Sequence, residues 1–132
     1  MGIAKNILNQ INNSIERCTG NSAKISIEFT DSKMEFPVRN IHIATGIRNA
    51  DVHHEVDEYG NKNTVKTLTI EATICAPKVS SGDSIVDVVD AIITASLLDT
   101  FPPLVKLYTG KASYSSTLGA IIQSVYITVK TD

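Results

Sequence analysis

No run of lysine or arginine occurs anywhere in this chain, and its 12 basic residues are outnumbered by 14 acidic ones, for a net charge of -2. The electrostatic footprint of non-specific nucleic-acid binding is therefore missing, and no nucleic-acid sequence recognition is expected. Long apolar runs are missing too: the longest falls far short of the roughly 18 residues a membrane span requires, and the N-terminus has no charged region followed by an apolar block. No membrane partner is expected. Cysteine is sparse, with Cys18 and Cys75 fitting neither a CxxC motif nor metal-ligand spacing, so both read as small buried thiols. There is no GxSxG elbow, no glycine-rich phosphate loop, no internal repeat and no linker. Neither an enzymatic activity nor a cofactor has positive support.

What remains is ordinary globular material. The 132 residues, 42% hydrophobic and 20% charged, suit one domain spanning 1–132 with a single core.

That core is organised around residues 64–99. Leu68, Ile70, Ala72, Ile74 and Ala76 alternate with Thr67, Thr69, Glu71, Thr73 and Cys75, the pattern of a strand with one buried side. Pro77 ends the ladder, and Ser80 and Asp83 are spaced as in a capping box that opens a helix. Along it Asp83, Asp87, Asp90 and Thr94 make a polar line. Ile85, Val86, Val88, Val89, Ile92, Ile93, Leu97 and Leu98 leave an apolar arc wide enough to lie across a sheet as the largest single contribution to the core.

Before it, Ile3, Ala4, Ile7, Leu8, Ile11, Ile15 and Cys18 predict a helix closed by Thr19 and Gly20, with an amide-rich outer face. Ala23, Ile25, Ile27 and Phe29 predict a half-buried strand, and Asp31, Ser32 and Lys33 a tight reversal into a second one. Met34, Phe36 and Val38 differ in parity from Ile41, Ile43 and Ile47, which implies a bulge near Arg39 and Asn40, with Pro37 tolerated beside it. Residues 46–63 are polar, interrupted by alternating Ala50, Val52 and Val56, and Tyr59, Gly60 and Asn61 suit a hairpin turn. We read this stretch as a long hairpin or loop protruding from the domain. After Phe101, Pro102 and Pro103 a fourth strand begins at Leu104, and the Ser113 to Thr117 run reads as a flexible connection. The last strand, 119–130, carries apolar groups on both sides, as a central or subunit-buried strand does. The expected fold is a single α+β domain of order α-β-β-β-α-β-β, with two helices on a mostly antiparallel sheet.

Three clusters invite chemistry. His53, His54, Glu55, Asp57 and Glu58 are potential metal ligands, yet adjacent histidines on a strand point to opposite faces, and a solvated charged hairpin is favoured, with no metal. The aspartates of the central helix read as a wet face, and they oppose a double-stranded RNA contact suggested by the α-β-β-β-α portion. The hydroxyl run has no catalytic partner.

The initial helix, the long hairpin, the strand LTIEATICAP, the helix SSGDSIVDVVDAIITASLL and the ending IIQSVYITVKTD together resemble the phage tail terminator, or tail completion, proteins. Contractile tails and tail-like bacteriocins use similar parts. The resemblance implies a structural, non-enzymatic protein that forms a homohexameric ring, caps the tail tube, and joins it to sheath, neck or head proteins. It would be assembled in the bacterial cytoplasm into a virion or tail-like particle. Arg48, Asp51, His53, His54, Glu55, Asp57, Tyr59 and Tyr126 are then the candidate subunit or partner interface. The alternatives are another tail or connector component such as a tube subunit, or a small α+β ligand-binding domain or enzyme with a pocket near His42 or His53.

Overall fold

The computed structural model of the chain describes residues 3–19, 23–27, 41–77, 82–98, 101–117 and 119–131. The first helix, α1 (Ile3–Thr19), buries the expected stripe of Ile7, Leu8, Ile11 and Ile15 and exposes Lys5, Asn6, Gln10, Asn13 and Glu16. Because its outer face is rich in poor helix formers, burial of that stripe holds it in place, at roughly 1.5 to 3 kcal/mol per large side chain. At its end the Thr19 hydroxyl donates to the Glu16 carbonyl at 3.3 Å, and Arg17 faces the negative end of the helix dipole.

The strand β1 (Ala23–Ile27) lies parallel to β2 (Ile41–Val56), Ala23 beside Ile41 and Ile27 beside Thr45. This corrects the expected order of travel, since a tight reversal at 31–33 would have set the two antiparallel. Alternation records the face a residue occupies, not the direction of the strand that carries it. The reversal itself, Met34, Phe36, Pro37, Val38, and the bulge near Arg39 and Asn40 lie outside the described residues. A bulge is found further on, at Arg48, where Ile47 pairs with Ile70 and Asn49 with Thr69.

Antiparallel to β2 runs β3 (Lys62–Pro77), which ends at the proline as its missing N–H requires. Next comes α2 (Gly82–Ser96), followed by β4 (Leu104–Thr109), β5 (Ser113–Ser115) and β6 (Ala120–Thr131). The hydroxyl run read as a connection thus contains a further short strand, β5, paired to β6. All six strands form one sheet in the order β1-β2-β3-β6-β4, with β5 in line with β4 along β6. Every pairing but the first is antiparallel, so the domain is α+β as expected. The last strand is central, between β3 and β4, the first of the two placements expected for it.

One face of the sheet carries both helices. Ile43 of β2, Leu68, Ile70, Ala72, Ile74 and Ala76 of β3, and Val125, Ile127 and Val129 of β6 form one buried cluster with the α1 stripe and with α2. Of the apolar residues described on α2, Ile85, Val88, Ile92 and Ala95 are buried outright. Val86, Ile93 and Leu97 are exposed, so the wide arc expected of this helix is corrected to a narrow stripe. Among the described residues α2 packs against α1 alongside and the sheet beneath, which leaves its remaining apolar residues on the outward side. The strand β3, rather than α2, contributes the longest line of core residues.

Candidate interface on the projecting hairpin

The sheet narrows to two strands at one end. The central strand β6 accompanies β3 only as far as the pairing of Lys66 with Thr131, while β2 and β3 continue through Val52–Lys66, His53–Val65, His54–Thr64, Glu55–Asn63 and Val56–Lys62. Every residue of β2 from Ile47 to Val56 is exposed. A ribbon four pairs long beyond the sheet projects roughly 13 Å at the usual rise per residue, before the turn is added. The protruding hairpin expected at 46–63 is therefore present, built as regular ladder rather than as loop.

Its turn is fixed by Asp57. The carboxylate accepts backbone N–H bonds from Tyr59 and Asn61, each at 2.9 Å. The Asp57 N–H donates to the Asn61 carbonyl at 2.9 Å, and the Gly60 N–H donates to the Asp57 carbonyl at 3.0 Å. Gly60 has φ of 82°, a left-handed conformation that a side chain would strain, and it closes a three-residue loop of the type that follows a type I turn. Tyr59 stands 81% exposed at the tip.

The candidate residues divide between the two faces of the ribbon. Pairing with β3 puts Asp51, His53 and Glu55 on the face away from the helices, and His54 on the helix side with Ala50, Val52 and Val56. His53 Nε2 lies 3.3 Å from Glu55 Oε1, and His54 Nδ1 lies 3.3 Å from the Thr64 hydroxyl. The adjacent histidines do point apart. Among the described residues no three histidine, cysteine, aspartate or glutamate side chains converge as a metal set. Arg48, freed from the ladder by the bulge, turns to the face away from the helices and meets Glu71 at 3.0 Å. Tyr126, on that same face, packs its ring against Tyr108 with centroids 6.0 Å apart, and the Thr69 and Thr128 hydroxyls pair beside them at 3.0 Å.

Two hollows flank the root of the hairpin. One is polar, lined by Ala44, Gly46, Arg48, Glu71 and Thr73. The other is an apolar crevice of about 240 Å³ on the helix side, where Ala4 of α1 meets Ala50, Val52 and Leu68. Neither is lined by His42 or His53.

No family model and no curated protein matches the chain. Solved structures similar to it include a chain from the virion of a native gene transfer agent particle, at 9% identity and a TM-score of 0.45, over 94% of this chain and 90% of that one. A likeness of that degree fixes neither family nor function.

Reading residues one at a time as charged or polar missed the apolar side of the ribbon. Val52 and Val56 are 58% and 64% exposed, and the signal that finds them is the alternation of Ala50, Val52 and Val56 within a hydrophilic stretch. Asp57, singled out as an interface residue, spends its carboxylate on the turn.

Proposed function

We propose that the chain is a structural protein of a phage tail or tail-like particle, working as an oligomeric ring that caps the tail tube and joins it to neck or head. The supporting observation is the ribbon itself: a regular two-stranded arm with exposed Val52, Val56 and Tyr59 and no core of its own. An isolated two-stranded ribbon is marginally stable in water, so an arm of this length gains most of its stability when a partner covers it. Each of those side chains would contribute roughly 1.5 to 3 kcal/mol if fully buried in an assembly. In this reading the chain carries no catalytic chemistry, and Arg48, Asp51, His53, Glu55 and Tyr59 are rim and tip contacts around the apolar strip.

The test is the native mass across a concentration series, read by native mass spectrometry and sedimentation, with negative-stain images of the product. Closed rings that co-sediment with the tube protein of the same particle are expected. Monomer at the highest concentration, with no binding to tube, overturns the reading. Long tubes formed by the chain alone would identify it as a tube subunit.

A further inference from the structure

A second exposed apolar surface lies on α2 and the turn that closes it. Val86, Ile93 and Leu97 are 64%, 38% and 77% exposed, and steps of seven and four residues set them in one line. That line is displaced roughly 140° around the helix from the buried stripe of Ile85, Val88, Ile92 and Ala95, at 100° per residue. Asp87 and Asp90, both exposed, flank it on one side. The ridge is therefore apolar with an acidic border.

The helix-side face of the ribbon has the opposite character. Val52 and Val56 lie on it, and directly across the ladder stand Lys66 and Lys62, both exposed. This face carries the two valines with His54 between them and a basic border, and it runs back into the apolar crevice at Ala4, Ala50 and Leu68. Among the described residues, no ion pair is made by Lys62, Lys66, Asp87 or Asp90. The dimensions agree as well. Val52 to Val56 spans roughly 13 Å of strand, while Val86 to Ile93 spans roughly 10 Å of helix and Val86 to Leu97 roughly 16 Å.

Charge also decides which surface meets which. Ridge against ridge would bring aspartates together, and ribbon against ribbon would bring lysines together, so each surface disfavours its own copy and suits the other. Both remain exposed within one chain, so their pairing joins two copies. We propose that the helix-side face of the ribbon of one copy lies along the α2 ridge of the next, with Val52 and Val56 against Val86, Ile93 and Leu97, and Lys62 and Lys66 facing Asp87 and Asp90. This deepens the self-assembly reading above and rests on it. Because the two surfaces differ, the contact is head-to-tail, and repetition generates a ring if the rotation closes.

Charge reversal tests the pairing. Lys62→Glu with Lys66→Glu, and separately Asp87→Lys with Asp90→Lys, should each raise the midpoint concentration for assembly about tenfold or more, and all four changes together should return it to within about threefold of wild type. An equal mixture of the two reversed variants should likewise assemble, since each then offers the sign the other lacks. Val56→Thr and Leu97→Gln, which leave charge alone, should each weaken assembly in the same sedimentation series. All of these positions are exposed, and a thermal melt of each variant checks that it folds. If wild type assembles and the reversals leave the midpoint unchanged, the pairing is wrong while self-assembly stands. If wild type stays monomeric throughout, self-assembly fails and takes the pairing with it.

Discussion

At the scale of single residues, the most consequential polar contact is buried between α1 and the sheet. Thr45 is fully buried on the helix side of β2, and its hydroxyl donates to Asn12 Oδ1 at 2.6 Å. Asn12→Ala should cost about 1 to 3 kcal/mol in urea unfolding, because it leaves a desolvated hydroxyl unpaired. Adding Thr45→Val should recover part of that loss by removing the orphan. A double variant less stable than Asn12→Ala alone would refute this account of the bond. Cys75 gives a pH prediction. Burial raises its pKa above the ordinary thiol value of 9.0, so the folded chain keeps the proton where the unfolded chain would release it. Stability from this group is therefore fully present below pH 9.0 and declines as pH rises from there through the higher folded value. Alkylation followed by mass spectrometry at mildly alkaline pH should label half-exposed Cys18 first and Cys75 only as the chain unfolds. Early labelling of Cys75 would count against that protection.

Elements were legible in the sequence to very different degrees. The stripe of α1, the alternation of β3 ending at Pro77 and the turn around Gly60 each follow from local chemistry, and each is found where its residues predict. The α2 arc was legible as apolar but not as divided, because hydrophobicity records a tendency to leave water without saying what does the covering. Val86, Ile93 and Leu97 look like core by that measure and stand in solvent. The parallel pairing of β1 with β2 was hidden for a related reason: nothing in a two-residue period encodes direction. The hairpin provides the prediction at this scale. Replacing 53–65 by Asn-Gly, which joins the directly paired Val52 and Lys66 through a two-residue turn, removes exposed or half-exposed residues only. The melting temperature should change by less than about 5 °C, while the native mass falls to that of a monomer. A large loss of stability would show the ribbon to be part of the core, and unchanged assembly would show it to be dispensable for association.

For the whole molecule, the β4 edge of the sheet is a poor route to association. Along its β4 edge, Pro103 stands at the start, the register slips between Leu104 and Lys106, Lys106 is exposed, and the chain breaks off at Gly110 before resuming as β5. These are the devices that keep an edge strand from recruiting another. The Gly110 N–H is already committed to the Ser124 carbonyl at 2.7 Å, and a Cβ there would crowd that same oxygen at 3.3 Å. Away from that edge, the ribbon and the helix ridge carry exposed apolar residues, one reaching out and the other lying flat. The candidate site was therefore half legible: the stretch was found as a projection, but its pairing with a distant helix is a property of three-dimensional placement and sign of charge.

The slip at Arg48 then takes on a geometric meaning. An extra residue on one strand bends and twists β2 four residues before Val52, where the ribbon leaves the rest of the sheet. In a circle of identical copies, each reaching for the next, the angle of that departure determines how far every member is turned from its neighbour. A few degrees more or less would change the number of members, or leave the circle unclosed and spiralling. One surplus amino acid near the wrist of the arm would thus set the circumference of such a circle.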